Sequence, residues 1–596
     1  MCGFFAIIYK DKNPRIGEVL TEAGKRLSYR GYDTSGIVVI NDTTVDLRKD
    51  VGKIECVAKK LNFHDTVGER GIIQLRWATF GPPTKNNAQP HLDCTGKIVG
   101  AHNGNIINSP QLRKKLTASG HYFHGINDGE IIPHLIEEHA RCASDLAQAI
   151  IDTTSILEGD YAFVASSVDE QKMYAVKKGS SLFVGIGEGF ICVSSDLTAV
   201  LDHTNILLPI EDGEFLEFNH SSYTLRDLST GERIRRLPKK TKLKPEQADK
   251  GEYPHFMIKE IHEIPSRLKS LGNIFWENPV YREAGELISS ARKIFITGAG
   301  TSYHSLLLGT YFMSNIANIS LLPSFASDFQ SLHAPLCTKD DILIAVSQSG
   351  ETKDVKNACE AFRANNGGKI ISILNNLNST LAEKSDIILP IASDLEISVP
   401  ATKTFTNQCL LFLLLAKQCA NKSIDIDGLK DAVEETISLS HRIAPSVLRP
   451  IKHRKEFYIL GFGITYPVAL EAALKIKEVS YLHCEGMHSG EFKHGPLSIV
   501  EDGYPVFIIS AKEDKNYTLS HIHEVKTRLG KVITIAPEDK HLKASSDVFV
   551  PIPCEDRYLF PIVASVFFQI LAYKLAVDLG IDPDYPRNIS KTITVD

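Results

Sequence analysis

The chain has 596 residues and a formal net charge of −6; 43% of its residues are hydrophobic and 23% are charged. This length corresponds to about three or four domains, and the composition is that of a folded globular protein. The slightly acidic balance argues against nucleic acid as a partner, because nucleic-acid-binding proteins present a basic face. The longest uninterrupted apolar run, Cys409 to Ala416, is shorter than the roughly 20 residues that cross a bilayer, so we expect no membrane association. The N-terminus has no signal-peptide pattern, which predicts a cytoplasmic protein.

The eleven cysteines are scattered from Cys2 to Cys554, and no two lie in a C-x-x-C spacing. This pattern predicts neither a disulfide framework nor a zinc knuckle. As a separate expectation, we predict no metal and no organic cofactor. Cys2 differs from the rest, because removal of Met1 would give it a free α-amine beside its thiol. Part of that amine is neutral near pH 7, so it can act as the base for the thiol.

The pattern of residues 2–235 predicts a layered α+β domain. Periodic segments over Arg15–Leu27 and Gly129–Ala140 predict helices. Short, partly β-branched segments bounded by turn residues predict strands over Gly36–Ile40, Gly71–Leu75, Ile98–Ala101, Tyr161–Ser166 and Ile191–Ser194. A basic, proline-containing stretch follows. Since no aromatic residue interleaves its charges, it indicates a solvated linker over residues 236–256 more than a nucleic-acid patch.

Beyond residue 256, strands, Gly/Ser loops and helices alternate, which predicts parallel βαβ units. The pattern occurs twice, since Lys293–Tyr303 matches Glu456–Tyr466. An offset of about 160 residues is that of a duplicated domain. We therefore predict two doubly wound α/β domains, over residues 257–440 and 441–585, followed by a C-terminal tail over 586–596.

Three segments that follow apolar strands in the first domain could carry chemistry: Tyr29–Asp33, Arg76–Thr79 and Ala101–Asn105. Asn103-Gly104 is a turn sequence, but the Asn amide and a neighbouring backbone N–H can also form an oxyanion hole. Arg76 is either a surface charge or a bidentate partner for a carboxylate. Asp128 precedes a predicted helix and is either its N-cap or the acceptor for an ammonium group.

The second half offers a different set of groups. Ser347–Thr352 places three hydroxyls between a strand and a helix, which favours a bound anion over a plain capping loop. Lys475 and Glu478 share a helix face and alone would indicate a surface ion pair. His494 lies in a Gly/Pro-bounded loop. Lys591 lies in the tail, where a lysine usually has no role unless burial allows it to form a Schiff base.

The first group of motifs resembles the N-terminal-nucleophile glutamine amidotransferases. Over essentially the whole chain, the combined motifs resemble the isomerising glutamine–fructose-6-phosphate aminotransferases, which join such a glutaminase to two sugar-isomerase (SIS) domains. The resemblance implies conversion of fructose 6-phosphate and glutamine into glucosamine 6-phosphate and glutamate, the first step of amino-sugar synthesis. It also implies a homodimer or a higher homo-oligomer.

The resemblance implies roles for individual residues. Cys2 would attack the glutamine amide, Asn103 and Gly104 would form the oxyanion hole, and Trp77 would gate an ammonia channel. The glutamine-binding residues would be Arg30, Arg76, Trp77, Thr79 and Asp128.

In the sugar half, Lys591 would form an imine with C2 of the opened sugar and His494 would help to open the ring. Glu478 would move a proton between C1 and C2 with the assistance of Lys475. The sugar-phosphate-binding residues would be Thr301, Ser302, Ser347, Gln348, Ser349, Thr352 and Val399.

Three residues near the expected glutamine pocket depart from the family pattern. Phe80 and Gln89 stand where the family usually has histidine, and Gly129 stands where it usually has threonine. One alternative is therefore an ammonia-dependent sugar-phosphate isomerase with a weakened glutaminase. Another is a phosphosugar sensor, although no DNA-binding helix-turn-helix is visible. Glutamate release distinguishes the first alternative from the amidotransferase.

Overall fold

The computed structural model describes residues 2–42, 44–241, 250–377, 379–452, 454–589 and 591. Residues up to 249 belong to one compact unit and residues 250–591 form a second.

Among its described residues, the first unit contains two antiparallel sheets and six α-helices. Its helices are α1 (Ile16–Leu27), α2 (Ile54–Lys60), α3 (Ser109–Ala118), α4 (Ile131–Ala140), α5 (Leu146–Ile156) and α6 (Leu197–Leu201). Its strands are β1 (Gly3–Asn13), β2 (Thr34–Asn41), β3 (Thr44–Val51), β4 (Gly68–Arg76), β5 (His91–Leu92), β6 (Ile98–Ile106), β7 (Gly159–Ser167), β8 (Met173–Lys178), β9 (Phe183–Gly187), β10 (Phe190–Ser194), β11 (Ile206–Leu208), β12 (Glu214–Phe218), β13 (Tyr223–Asp227), β14 (Arg233–Ile234) and β15 (Lys239–Lys240). The strand orders are β15-β11-β9-β10-β1-β4-β2-β3 and β14-β13-β12-β8-β7-β6-β5.

The two sheets pack face to face between outer layers of helices. Alternate residues of β1 show this layering: Phe4, Ala6 and Ile8 enter a core shared with the second sheet, whereas Phe5 and Ile7 pack with the helices on the other side. A strand buried on both faces in this way needs apolar residues in both alternating sets. The predicted α+β layered class is confirmed, and each predicted strand and helix lies within or close to an observed one.

Two predictions for this unit need correction. Asn103-Gly104 is not a turn, because β6 continues to Ile106 and both residues pair with β7. The predicted linker does not begin at residue 236, since Lys239 and Lys240 form β15 and pair with β11. Residues 242–249 of that stretch lie outside the described residues.

The second unit contains two five-stranded parallel sheets. The helices are α7 (Phe256–Glu277), α8 (Pro279–Ser290), α9 (Thr301–Phe312), α10 (Phe329–Leu332), α11 (Lys353–Ala364), α12 (Thr380–Glu383), α13 (Lys403–Cys419), α14 (Ile426–Leu448), α15 (Tyr466–Ser480), α16 (Ser489–Phe492), α17 (Lys515–Lys526), α18 (Lys540–Ser545) and α19 (Phe560–Asp578). The strands are β16 (Ile294–Gly298), β17 (Leu322–Phe325), β18 (Ile342–Ser347), β19 (Lys369–Leu374), β20 (Ile387–Pro390), β21 (Glu456–Gly461), β22 (His483–His488), β23 (Pro505–Ile509), β24 (Lys531–Ala536) and β25 (Val548–Pro551).

The strand orders β17-β16-β18-β19-β20 and β22-β21-β23-β24-β25 are the same doubly wound order written twice. This agrees with the predicted duplication. The predicted boundary between residues 440 and 441, however, falls inside α14, a 23-residue helix. One hydrophobic core contains residues of both sheets and of α13, α14 and α19, so the two lobes are packed as a single body.

The apolar run Cys409–Ala416 lies in α13, where it is completely buried. Among the helices of the described ranges, α19 is long and apolar enough to cross a membrane, and 89% of its most apolar stretch is buried inside the protein. The length of uninterrupted apolar runs did not single out α19, because Ser565 and Gln569 interrupt its apolar residues. Its burial makes it a core helix of the second unit.

Candidate active sites

The glutaminase site begins at the N-terminal edge of β1. The Sγ atom of Cys2 lies 3.6 Å from the main-chain oxygen of Trp77, and Cys2 is only partly buried. Next to it, Gly3 packs against the stem of Arg30, where an added β-carbon would come within 3.3 Å. The guanidinium of Arg30 bonds to Asp196, with 2.8 Å between Nε and Oδ2. Arg30 thus supports the strand that carries Cys2, and its charge is paired with protein rather than directed to a ligand.

The predicted oxyanion residues lie on β6. Gly104 has a φ of +104°, and a β-carbon there would lie 2.0 Å from the carbonyl oxygen of Asp160, so only glycine fits. The Oδ1 atom of Asn103 is buried and has no hydrogen-bond partner in the described structure. Because Oδ1 is a hydrogen-bond acceptor, an oxyanion hole would use the Nδ2–H group of the same amide instead.

Arg76 and Asp128 bring opposite charges to the same pocket. Arg76 is buried and donates hydrogen bonds to the main-chain oxygens of Gly81, at 2.8 Å, and Pro82, at 3.2 Å. It also lies within electrostatic range of Cys2 and Asp128. Burial alone would favour a neutral Asp128, but the nearby His102 and a backbone N–H outweigh it and hold the pKa of that carboxyl below its usual value. Asp128 is therefore ionised, as an ammonium-binding group requires. Of the other two predicted glutamine ligands, Trp77 is half-buried and Thr79 is exposed.

Two of the three departures from the family pattern, Gln89 and Gly129, have structural roles. The side-chain amide of Gln89 pairs with both backbone groups of His102, accepting from its N–H at 2.8 Å and donating to its C=O at 3.2 Å. A β-carbon at Gly129 would lie 2.0 Å from Nδ1 of the same histidine. Gln89 and Gly129 therefore fit around His102, which immediately precedes Asn103. Phe80 is 39% exposed, and its carbonyl accepts a hydrogen bond from Arg76.

The sugar site lies inside the second unit, and its central feature is the tail lysine. Lys591 is 7% exposed, and its Nζ atom lies 2.5 Å from Oε2 of Glu396 and 2.8 Å from the carbonyl oxygen of Ser398. Glu396 is fully buried, yet Lys591 and the backbone N–H groups of Thr402 and Thr404 lower the pKa of Glu396 to about 2. The tail lysine is thus a buried cation held by an ionised carboxylate.

Helix α15 supplies a second buried charge group. The Nζ atom of Lys475 lies 2.6 Å from Glu478 and 3.4 Å from Glu471. Because Lys475 is 1% exposed, this is not the surface ion pair that its spacing alone would indicate. Burial raises the pKa of Glu478 despite the neighbouring Lys475, and Lys591 lies within electrostatic range of that carboxylate. A carboxylate with a raised pKa beside a lysine suits general base catalysis.

Glu471 links the two lobes. Its carboxylate accepts from Oγ1 of Thr301, at 3.0 Å, and contacts Nδ1 of His304, at 2.8 Å. Both of these residues belong to α9 in the first lobe, whereas Glu471 belongs to α15 in the second. The predicted site residue Thr301 therefore lies beside the acid–base helix.

The hydroxyl loop lies between β18 and α11. Oγ of Ser347 accepts from the N–H of Gly350 at 3.1 Å and lies 3.1 Å from Oγ1 of Thr352. Ser349 accepts from the N–H of Glu351 at 3.1 Å. These residues form a tight loop at the N-terminus of a 12-residue helix, a position that favours anions.

Three other predicted sugar-phosphate ligands have contacts within the protein. Ser302 is buried and accepts from Nε2 of Gln408 at 3.1 Å. The carbonyl of Gln348 accepts from two backbone N–H groups of the segment after β19. The N–H of Val399 donates to the carbonyl of Asp584 at 3.1 Å.

His494 differs from the other predicted catalytic residues because it is exposed. It follows α16, and its backbone N–H donates to Glu491 at 3.0 Å. Its ring has no hydrogen bond or ion pair with the described residues. The structure of one chain therefore brings Lys475, Glu478 and Lys591 together without His494.

Sequence reasoning missed several members of the sugar site. Glu396 lies in the irregular segment after β20, where no periodicity marks it. Glu471 could have been found, because it precedes Lys475 by four residues and shares its helix face. Glu260 is buried beside Glu396, which together with desolvation raises the pKa of Glu260 to about 8.

Comparison with known proteins follows the same division. Residues 76–202 match the glutamine amidotransferase domain family, and residues 287–418 and 451–579 both match the SIS domain family. The isomerising glutamine–fructose-6-phosphate aminotransferases of Thermococcus kodakarensis and Pyrococcus horikoshii are each 38% identical over the full length of both chains. The C-terminal domain of glucosamine-fructose-6-phosphate aminotransferase from Francisella tularensis is 28% identical; it aligns with 57% of this chain and 100% of its own, with a TM-score of 0.52.

A glutaminase-type domain on the same chain as a pair of SIS domains defines a glutamine-dependent amidotransferase that acts on a sugar phosphate. The full-length identities are specific enough to go further. The chain belongs to the isomerising glutamine–fructose-6-phosphate aminotransferase family.

Proposed function

We propose that this chain transfers the amide nitrogen of glutamine to fructose 6-phosphate and isomerises the product to glucosamine 6-phosphate, releasing glutamate. The observation that carries the proposal is the burial of Lys591 beside Glu396, within electrostatic range of Glu478. Lys591 is thus buried against one carboxylate and lies within electrostatic range of a second one. A Schiff-base role explains that placement.

In the glutaminase half, Cys2 attacks the side-chain carbonyl of glutamine and its α-amine serves as the base. The amide of Asn103 and the N–H of Gly104 stabilise the oxyanion, and ammonia leaves as the thioester forms. Asp128 binds the α-ammonium group. Arg76 binds the α-carboxylate by exchanging its hydrogen bonds to the carbonyls of Gly81 and Pro82 for bonds to the substrate. Water then releases glutamate.

In the sugar half, the Lys591 ammonium first loses a proton to solvent. Its neutral amine then attacks C2 of the open-chain ketose, and water is lost as the imine forms. Ammonia then displaces the lysine from C2. Glu478 removes a proton from C1 and returns it to C2, while the proton of the C1 hydroxyl passes to the nitrogen. An amine at C2 and an aldehyde at C1 remain. The loop Ser347–Thr352 holds the phosphate through its hydroxyls and the N-terminus of α11.

Removal of the nucleophile tests the proposal. Cys2→Ala should abolish glutamate release and glutamine-dependent product, while glucosamine 6-phosphate still forms from ammonia. Cys142→Ser is the matched control, since Cys142 is also free but exposed and outside the pocket. Glutamine hydrolysis at the original rate in the Cys2 variant would refute the role of Cys2. Mass spectrometry of the mature protein should show that Met1 has been removed.

The same assay tests the alternative with a weakened glutaminase. The proposed enzyme forms glutamate and glucosamine 6-phosphate in equal amounts when glutamine is the nitrogen donor. Product that forms from ammonia but not from glutamine would favour the alternative.

We further propose that the active form is a homodimer in which His494 comes from the partner subunit. The support is that His494 is exposed in one chain while the groups it should assist are buried. Mixing inactive Lys591→Arg and His494→Ala chains should restore about a quarter of the activity, because random pairing gives half mixed dimers with one complete site each. Mixing without recovery would place His494 in its own chain's site. A cytoplasmic location and the absence of nucleic-acid and membrane partners stay predictions from the sequence.

A further inference from the structure

Four side chains that could bind a metal meet in the first unit, outside the residues of the proposed glutamine chemistry. They are Cys94, His121, His134 and Glu137, and one ligand atom from each lies within 4.8 Å of all the others. Cys94 occupies the turn between β5 and β6, His121 follows α3, and the other two are spaced i,i+3 on α4. Both histidines are buried with 1% of the side chain exposed, so their imidazoles do not face bulk water.

Five separations between the ligand atoms lie between 3.2 and 3.8 Å, close to the edges of a tetrahedron around zinc. Nδ1 of His121 lies 3.4 Å from Nδ1 of His134 and 3.5 Å from Sγ of Cys94. The second imidazole lies 3.3 Å from the same sulfur. Oε2 of Glu137 lies 3.2 Å from the first Nδ1 and 3.8 Å from the second. Zn–N bonds of about 2.0–2.1 Å and Zn–S bonds of about 2.3 Å give tetrahedral edges of roughly 3.3–3.6 Å.

Hydrogen bonding orients the cluster for metal binding. Nε2 of His121 lies 3.1 Å from Oε2 of Glu138, which places the ring proton on Nε2 and turns the lone pair of Nδ1 inward. This carboxylate–histidine arrangement is common behind zinc ligands. The inward lone pair then faces a second imidazole nitrogen and the Glu137 carboxylate. Electron pairs this close repel unless a cation or a proton lies between them.

We propose that Cys94, His121, His134 and Glu137 bind one Zn²⁺ ion as a closed structural site. Four protein ligands leave no position for water or substrate, so the site is structural and not catalytic. Binding converts the Cys94 thiol to a thiolate and releases its proton to solvent. The set combines a soft sulfur ligand with two imidazole nitrogens and a carboxylate oxygen. This combination suits zinc better than magnesium or calcium, which prefer oxygen ligands.

The site would join three segments next to the glutamine pocket. Cys94 leads into β6, which carries Asn103 and Gly104. His121 and His134 lie on either side of Asp128 in sequence. Loss of the metal should therefore loosen the pocket and raise KM for glutamine, a consequence that rests on the proposed function. Metal binding itself does not depend on that function.

Metal content tests the proposal directly. The full-length protein, purified without chelator or affinity metal and dialysed, should contain about one zinc per chain by inductively coupled plasma mass spectrometry. Cys94→Ser and His134→Asn should each reduce that content at least tenfold. Cys142→Ser and His64→Asn are matched controls, because both residues are exposed and outside the cluster, and they should keep the metal.

A second measurement does not depend on whether the variants fold. Metal-free protein titrated with Co²⁺ should develop visible ligand-field bands and a near-ultraviolet thiolate-to-cobalt band that saturate at about one equivalent. Zinc should then displace the cobalt and remove the bands. Protein that contains no zinc and gives no thiolate–cobalt band would overturn the proposal and leave a hydrogen-bonded cluster. Full zinc content in folded Cys94→Ser would overturn the ligand set.

Discussion

The two lobes of the second unit have the same strand order but carry different chemistry after equivalent strands. In the first lobe, β18 leads into Ser347–Thr352, a loop of hydroxyls and backbone N–H groups. In the second lobe, β23 leads into Ser510–Asp514, which reads Ser-Ala-Lys-Glu-Asp. Because Glu513 and Asp514 would repel a phosphate, we propose that the phosphate binds to the first lobe.

The helices that follow the first strand of each repeat, α9 and α15, differ in the opposite direction, because here the second lobe carries the reactive groups. Both begin near a glycine with positive φ, +52° at Gly300 and +53° at Gly463, so the loop geometry is retained. In the second lobe, however, α15 carries a buried acid–base group that α9 lacks. The two copies therefore share their strand order and loop geometry, and in the proposed mechanism one binds the phosphate and the other moves the proton.

The largest expected effect comes from removing the base in the second lobe. Glu478→Gln should lower the turnover number with fructose 6-phosphate by about 10²- to 10⁴-fold, because a positioned general base contributes that much. The KM for the sugar should change little, since the phosphate is bound by the other lobe. Steady-state kinetics with ammonia as donor measures both constants. Glu360→Gln on α11 is the control, and Glu360 is exposed. An unchanged turnover number for Glu478→Gln would remove it from the mechanism.

The next test removes the phosphate site of the first lobe. Ser347→Ala should raise KM for fructose 6-phosphate by roughly 10- to 150-fold, since one hydrogen bond to a charged group contributes about 1.5–3 kcal/mol. Turnover at saturating sugar should stay nearly constant. Ser510→Ala removes the hydroxyl at the matching position of the second lobe and should leave KM unchanged. Equal increases in the KM for fructose 6-phosphate in the variants of the two lobes would contradict the proposal that the first lobe alone binds the phosphate.

A third test uses two buried glutamates whose pKa values move in opposite directions. Burial and Glu396 raise the pKa of Glu260 from 4.5 to about 8, so the folded protein keeps a proton that the unfolded chain loses. Stability should therefore fall as pH rises from about 4.5 to about 8, by at most about 1.4 kcal/mol per pH unit. Glu396, with its pKa lowered to about 2, has the opposite effect and contributes stability that is lost as pH falls from about 4.5 to 2.

Glu260→Gln should thus flatten the fall in the thermal unfolding midpoint between mildly acidic and mildly alkaline buffer. Glu277→Gln on the same helix is the control, because Glu277 is exposed. If the unfolding midpoint of Glu260→Gln falls with pH as steeply as that of the original protein, another group is responsible for the pH dependence.

The smallest expected effect concerns the glutamine pocket. It tests whether Phe80 and Gln89, which both depart from the family pattern, affect different properties of the protein. Phe80→His should lower KM for glutamine by at most about tenfold, because phenylalanine cannot donate a hydrogen bond and one such bond contributes about 0.5–1.5 kcal/mol. Gln89→His should instead destabilise the first unit, since the amide satisfies two backbone groups of His102. Initial rates of glutamate release and thermal unfolding separate the two. A higher KM for glutamine in Phe80→His would contradict the proposed effect of Phe80.

Much of the fold was predictable because its signals are local. Strand and helix patterns depend on periods of two and 3.6 residues, and loops on glycine and polar residues, all of which a short segment contains. The duplication was visible from Lys293–Tyr303 and Glu456–Tyr466 for the same reason. The position of Cys2 and the hydroxyl loop also needed no distant partner to be noticed.

The sequence by itself determined the order of elements, the repeated lobe and the residue types of both sites. Only the tertiary structure decided which charges are buried and which groups meet. Lys591 and Glu396 are 195 residues apart, and Thr301 and Glu471 are 170 apart. It also decided that Asn103-Gly104 belongs to a strand and that Cys94 lies beside His121 and His134. Burial and pairing depend on contacts between distant segments, and the spacing of residues along the chain does not encode them.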